Sequence, residues 1–74
     1  MTNETTKLNK LGRNIFYARK AKGISQNQLA EMLDISREHL AKLETGKRRI
    51  SLKLLFVMSE ILEVSESKLL EFDS

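Results

Sequence analysis

Four serines, at positions 25, 36, 51 and 65, each stand directly before a run of apolar residues at helical spacing. Serine is a preferred N-cap of an α-helix, because its side-chain oxygen accepts a hydrogen bond from a first-turn N–H that has no partner within the helix. The chain also has no proline and only three glycines, which favours helix over sheet. The sequence therefore predicts an all-α fold of short helices joined by tight connections.

The predicted helix boundaries follow from these caps and from the residues that stop helices. The first helix covers residues 8–22 and ends at Gly23. Ser25 and Gln28 form a capping box that opens the second helix, and Asp34 ends it in the left-handed conformation. The third helix follows Ser36 and stops at Thr45 and Gly46, the fourth follows Ser51, and a shorter fifth follows Ser65.

The 74 residues fit one domain, which we place at residues 8–74 after a flexible N-terminal arm of residues 1–7. The chain has no cysteine, which excludes disulfides, thiolate metal sites and cysteine nucleophiles, and we expect neither a metal nor a cofactor. The longest apolar run, from Leu54 to Met58, is too short to span a membrane, so a cytoplasmic protein is expected. A single histidine on an exposed helix offers no catalytic arrangement, so the protein is not expected to be an enzyme.

Helix four is apolar on two sides, which predicts a homodimer. One stripe, which we expect to pack into the core, contains Leu52, Leu55, Phe56, Met58, Ser59 and Leu62. A second stripe, of Leu54, Val57 and Ile61, lies well round the helix from the first. Since both stripes cannot pack into one small core, we expect Leu54, Val57 and Ile61, with Leu69 and Phe72, to contact a second copy. The alternative is a wider core that helix five and the C-terminal segment close.

The ordered motifs along the chain resemble those of one family of DNA-binding domains. They are Leu11-Gly12-Arg13-Asn14-Ile15, Gly23-Ile24-Ser25-Gln26, Leu29-Ala30, Ile35-Ser36-Arg37 and Glu44-Thr45-Gly46-Lys47-Arg48. At this spacing they resemble the helix-turn-helix domain of the Xre family, the Cro and phage-repressor type. Asp34 departs from the family's usual Gly or Asn, and Ile50 from its usual Pro. The resemblance implies a five-helix, lambda-repressor-like DNA-binding domain in which helices two and three form the helix-turn-helix and helix three enters the major groove.

A recognition helix reads base edges with long polar side chains near its N-terminus, and four residues of helix three meet this requirement. We expect base contacts from Arg37, Glu38, His39 and Lys42. An alternative is that Glu38 and Lys42 form an ordinary exposed ion pair at i, i+4 and that Arg37 is only solvated.

The residues that flank the recognition helix are candidates for phosphate contacts. They are Gln26, Asn27, Thr45, Lys47, Arg48 and Arg49. The first two open helix two, where free N–H groups and the positive end of the helix dipole attract phosphate, and the others follow helix three. A solvated run of charges is the usual alternative.

Arg19 and Glu44 match family positions at which an arginine of helix one pairs with a glutamate at the end of helix three. The resemblance therefore implies a structural ion pair. If the pair is buried, losing one partner would strand a charge, at a cost of ~3–5 kcal/mol.

These observations and the resemblance together predict a sequence-specific transcriptional regulator that binds an inverted repeat in double-stranded DNA as a homodimer. The resemblance implies a stand-alone regulator, such as a restriction-modification controller or a mobile-element repressor, which often acts on its own promoter. RNA polymerase is a further candidate partner. The alternative is a protein-interaction module of the antitoxin kind, for which DNA binding is secondary.

Overall fold

Each helix of the protein begins at a side chain that caps it. The structure is a computed structural model, and it describes residues 3–72. The helices are α1 (Glu4–Lys22), α2 (Gln26–Leu33), α3 (Arg37–Glu44), α4 (Leu52–Leu62) and α5 (Glu66–Leu69). The four predicted serine caps are confirmed, because each side chain accepts a hydrogen bond from a backbone N–H three residues later. Residues 3–72 contain no strand, so the predicted all-α fold is confirmed.

Helix α1 begins at Glu4 rather than at Leu8, so residues 4–7 of the expected arm are helical. The Asn3 side chain caps the helix by accepting a 2.9 Å hydrogen bond from the N–H of Thr6. Glu4 adds a negative charge in the first turn, where the helix dipole favours one. The first turn is polar throughout, so the apolar periodicity gave no sign of it. Positions 1 and 2 of the expected arm, and positions 73 and 74 of the expected domain, lie outside the described residues.

The connection between α2 and α3 is as short as predicted. Asp34 ends α2 in the left-handed conformation, at φ 59° and ψ 43°, and its N–H donates to the carbonyls of Ala30 and Glu31. Three residues separate the two helices. This tight turn fixes the angle at which α3 leaves α2.

The core lies where α1 packs on α3, α4 and α5, and α2 packs on α3 and α4. Ile15, Leu29, Leu40 and Met58 are completely enclosed at its centre. Gly12 allows α1 and α3 to approach closely, because a Cβ at this position would lie 2.5 Å from the carbonyl oxygens of Leu43 and Glu44. The backbone of α1 therefore touches the last turn of α3.

Helix α4 confirms one of the two predicted stripes only in part. Leu55, Met58, Ser59 and Leu62 are buried, but Leu52 and Phe56 are 69% and 51% exposed, so their assignment to the core was wrong. At 100° per residue, Phe56 points about 110° away from the centre of the buried face, and Leu52 is the first residue of the helix. The second stripe, Leu54, Val57 and Ile61, is half-buried and packs against the edge of the core.

The segment after α4 closes the core. This arrangement was the alternative to a dimer in the sequence analysis. Lys10 Nζ donates to the carbonyl of Phe72 at 2.7 Å. Asn14 Nδ2 donates to the carbonyls of Leu69 at 2.8 Å and Glu71 at 3.0 Å. These bonds hold the segment against α1, with Leu69 only 1% exposed and Phe72 half-buried. The expected place of Leu69 in a dimer interface is therefore corrected, since its side chain lies inside the protomer. Among the described residues, no helix is both long enough and apolar enough to cross a membrane.

Candidate nucleic-acid interface

A buried ion pair joins the three helices that build the candidate site. Arg19 on α1 donates from Nε to Glu44 Oε2 at 2.7 Å and from Nη2 to Glu44 Oε1 at 3.1 Å, with both side chains less than 10% exposed. Its Nη1 donates to the carbonyl of Ile24 at 3.0 Å, and Gln26 Nε2 donates to Glu44 Oε1 at 2.9 Å. The ion pair implied by the resemblance is present, and it holds the start of α2 and the end of α3 against α1.

This network also involves a residue expected to contact phosphate. The Gln26 amide nitrogen donates to Glu44, which leaves one amide hydrogen and the amide oxygen without a partner among residues 3–72. Asn27 is exposed in the first turn of α2. Gln28 completes the predicted capping box: its Oε1 accepts from the Ser25 N–H at 2.8 Å, and its own N–H donates to Ser25 Oγ at 3.0 Å.

The outer face of α3 presents the expected base-contacting residues to solvent. Leu40 and Leu43 anchor the helix in the core. Glu38 and Lys42 are exposed on the opposite side, and Arg37 is exposed at the first position of the helix, on the flank that faces α2. Lys42 Nζ lies 3.8 Å from Glu38 Oε2, so the exposed i, i+4 pair considered as an alternative is also present. Such a pair is worth only ~0.2–0.5 kcal/mol, so it does not prevent either side chain from turning towards another partner.

His39 is half-buried beside α4, whereas Arg37, Glu38 and Lys42 are exposed. Together with Ile35, Leu54 and Val57 it lines a groove of about 240 Å³ between α3 and α4. Partial burial, followed by the positive charges of Arg48 and Lys42, lowers the pKa of His39 below its usual value of 6.5. The ring is therefore neutral at pH 7 and has one donor and one acceptor nitrogen. The structure thus separates His39 from the other three expected base-contacting residues.

The loop after α3 is basic, but its residues differ in their availability. Lys47 and Arg48 are exposed. The Thr45 hydroxyl donates to the carbonyl of Ala41 at 3.0 Å, so its proton is already used within α3. Arg49 is bonded to Glu4 at the start of α1: Nη2 donates to Oε1 at 2.8 Å and Nε to Oε2. The hydrogen bond from Arg49 lowers the pKa of the Glu4 carboxyl, and the same bond raises the pKa of Arg49.

Two residues that shape this region were missed by the sequence analysis. Glu4 was placed in the arm, although an asparagine followed by an acidic residue is a usual start of a helix and could have indicated the extra turn. Asn14 was noted only as part of a motif, and its bonds to the C-terminal segment join positions 55 and 57 residues away. No local pattern reveals such a contact.

Comparison with known proteins places the chain in a family. A family model described as helix-turn-helix matches residues 15–69, which contain the end of α1 and the whole of α2 to α5. An uncharacterized helix-turn-helix transcriptional regulator of Rickettsia conorii is 40% identical over 53 residues, covering 72% of this chain and 42% of the relative. The chain spans between 41% and 56% of the length of the curated relatives it matches.

Two solved structures are similar over most of the chain. The restriction-modification controller protein C.AhdI of Aeromonas hydrophila has a TM-score of 0.79 at 31% identity, covering 84% of this chain and 94% of the controller. The clp gene regulator ClgR of C. glutamicum has a TM-score of 0.78 at 31% identity, covering 84% of this chain and 80% of the regulator. These named relatives are regulators rather than enzymes, in agreement with the expectation from the sequence. The chain belongs to the helix-turn-helix family, and its predicted resemblance to the Xre-type members is confirmed.

Proposed function

We propose that the chain is a sequence-specific DNA-binding transcriptional regulator that acts in the cytoplasm as a homodimer on an inverted repeat. The observation that carries the proposal is the outer face of α3. Glu38 and Lys42 are exposed there and Arg37 at the start of the helix, whose position is fixed by a tight turn at its N-terminus and a buried ion pair at its C-terminus. A rigid helix with exposed polar side chains near its N-terminus suits readout of the major groove.

The charges beside α3 support binding to the DNA backbone. Lys47 and Arg48 are exposed in the loop that follows it, and Asn27 is exposed at the start of α2. The start of α2 lies beside the end of α3, where Gln26 bonds to Glu44, and the basic loop follows the same end of α3. In this arrangement Arg37, Glu38 and Lys42 contact bases, and Asn27, Lys47 and Arg48 contact phosphates. Gln26 and Thr45 contribute through the hydrogen-bonding capacity that their contacts within the protein leave free. His39 lines the groove beside α4 that the proposed homodimer covers, so it makes no base contact in this arrangement.

The half-buried stripe on α4 supports the homodimer. Leu54 and Val57 line the groove beside His39, and Ile61 continues the same flank one turn later. A second copy seated on this flank would bury the groove and hold two copies of α3 for two half-sites ~34 Å apart. The similarity to a restriction-modification controller and a gene regulator supports two further parts of the proposal: the protein acts on its own promoter, and it contacts RNA polymerase.

The first experiment is selection of bound sequences from a random duplex library at near-physiological salt, followed by stoichiometry on the enriched site. An inverted repeat bound by two chains is the expected result. Its affinity should fall with salt, with a log–log slope of about 0.9 for each phosphate contacted. Enrichment of a site without symmetry, bound by one chain, would remove the homodimer but keep the regulator.

A second candidate function, an interaction module of the antitoxin kind, is favoured by the apolar surface that remains exposed. Leu52 and Phe56 on α4, and Leu70 after α5, are between 41% and 69% exposed. A monomer in solution that enriches no DNA sequence would favour this candidate. A dimer that selects an inverted repeat would exclude it as the main function.

A further inference from the structure

The basic loop after α3 contains one arginine whose charge is already neutralised within the protein. Arg49 forms a two-pronged bond with Glu4, in which Nε and Nη2 donate to the two carboxylate oxygens. Both side chains are more than half exposed, at 77% and 53%, so the pair lies on the surface. Its neighbours Lys47 and Arg48 have no such partner among the described residues. Arg49 therefore differs from Lys47 and Arg48, because a carboxylate of the protein neutralises its charge.

A carboxylate and a phosphate compete for the same edge of a guanidinium group. Each presents two oxygens at a spacing that matches the parallel N–H donors of arginine, so the two-pronged geometry suits either anion. When Arg49 is bonded to Glu4, the pair has no net charge and releases no counterion from DNA. If Arg49 turns to a phosphate, Glu4 is left as an unpaired carboxylate close to the polyanion, where like charges repel.

We propose that Glu4 is an affinity-determining residue that competes with DNA phosphates for Arg49 and so weakens binding to DNA, including duplexes without a cognate site. The inference rests on the proposed DNA-binding function. On a cognate site, where contacts made by α3 hold the loop against the backbone, the affinity is lowered by the free energy needed to break the pair. On other sequences no such contacts are present, so the pair stays closed and one phosphate contact is lost.

The Glu4–Arg49 pair depends on a residue outside the part of the chain that the family model matches. Glu4 is in the extra first turn of α1, and the helix-turn-helix family model begins only at residue 15. The Asn3 cap holds that turn in helical form, and the helix places the carboxylate within reach of a loop 45 residues later. The extra turn therefore has a consequence at the candidate interface.

The test is the affinity of Glu4→Gln for a random-sequence duplex, measured by fluorescence anisotropy from 50 to 200 mM salt. Freeing Arg49 should make the variant bind more tightly and steepen the log–log salt slope by about 0.9. Over this fourfold range of salt, the advantage over the wild type should therefore be about 3.5 times larger at 50 mM than at 200 mM. In the Arg49→Gln background, the Glu4→Gln change should have little effect.

The matched control is Glu63→Gln, which makes the same change of charge in another exposed pair. Glu63 is bonded to Lys22 at the opposite end of α1, about 27 Å along the helix from Glu4. If total charge alone mattered, both variants would tighten binding equally, and the inference would be overturned. Weaker binding by Glu4→Gln would also overturn it, because Glu4 would then position Arg49 for DNA. A wild type that binds no duplex at any salt concentration would instead refute the proposed function, and the inference with it.

Discussion

The buried Arg19–Glu44 pair is the contact between residues on which the candidate interface most depends. Replacing Arg19 with Met would leave the Glu44 carboxylate buried with only the Gln26 amide as partner. We expect a loss of ~3–5 kcal/mol in the free energy of unfolding. Because a domain of this size has a total stability of roughly the same amount, the variant should be largely unfolded at room temperature. Urea titration followed by helical circular dichroism measures the change.

The double variant Arg19→Met, Glu44→Leu separates the stranded charge from lost packing. Two apolar side chains of similar volume often replace a buried ion pair at little cost, so the double variant should be more stable than the single one. If the double variant were no more stable than Arg19→Met, the loss would come from packing or from the bond to Ile24, and the charge argument would be contradicted.

Gly12 gives a second prediction, in which two effects have opposite signs. Helix propensity alone would make Gly12→Ala stabilising by ~1 kcal/mol. The new Cβ, however, would meet the carbonyl oxygens of Leu43 and Glu44 at 2.5 Å, and these are backbone atoms of α3 that cannot rotate away. We therefore expect a net destabilisation of about 1–3 kcal/mol, as for other overpacked sites. Thermal unfolding of this variant measures the balance.

The control for Gly12→Ala is Arg13→Ala, which adds alanine at the next position of the same helix. Arg13 is exposed in the middle of α1, so its replacement removes no buried side chain. Its stability should change by no more than about 0.5 kcal/mol. A stabilised Gly12→Ala variant would show that α1 and α3 separate easily, contrary to the close approach described.

At the scale of elements, the sequence predicted the helix limits that local hydrogen bonds determine. A serine cap or a left-handed Asp34 depends on residues within one turn, so those helix limits could be predicted. The start of α1 was missed because its first turn has no apolar residue facing the core, although the Asn3 cap and Glu4 could have indicated it. The exposure of Phe56 was also missed, since a helix with apolar residues on several sides does not indicate which side the rest of the chain covers.

The exposed residues of the candidate site could be predicted from the sequence, but the contacts that its residues make within the protein could not. Arg37 and Lys42 are exposed where the periodicity of α3 placed them. The contacts of Gln26 with Glu44 and of Arg49 with Glu4 join residues 18 and 45 positions apart. Such contacts depend on tertiary packing, which no spacing rule describes. They decide which of the expected phosphate-contacting groups are free.

Helix α3 yields a prediction about readout. Arg37→Ala should leave the fold intact, because the side chain is exposed and outside the core. If Arg37 pairs with a guanine, its loss should cost about 1–3 kcal/mol on the selected site and relax the base preference at one position. Anisotropy titrations on the selected site and on single-base variants of it measure both effects.

Lys68→Ala is the matched control for Arg37→Ala. It removes one positive charge from an exposed pair on α5, away from α3. A general loss of attraction to DNA would affect both variants and all sequences alike. If Arg37→Ala bound the selected site as tightly as the wild type, Arg37 would not be a reading residue.

For the whole molecule, the distribution of charge matters more than its total. The net charge is +3, from 13 basic and 10 acidic residues, which is modest for a protein that binds a polyanion. Several of the basic side chains are paired with carboxylates, including Arg19, Lys22 and Arg49. Attraction to DNA would therefore depend on a few exposed groups around α3. Two protomers on one site would double that number, which makes self-association the property to test at this scale.

The last prediction concerns the flank of α4 on which the proposed homodimer depends. Val57→Glu places a charge in the middle of the half-buried stripe, between Leu54 and Ile61. A dimer that buries this stripe would have to desolvate the new carboxylate, so we expect dissociation to monomers with helical circular dichroism retained. Sedimentation equilibrium measures the mass.

Phe56→Glu is the control, because Phe56 is 51% exposed on the other flank of the same helix, where the same charge should leave the dimer intact. The opposite pattern would move the interface to the flank of Leu52 and Phe56. Dissociation by Val57→Glu should also lower affinity for an inverted repeat far more than affinity for a single half-site, because only the repeat requires two chains to bind together.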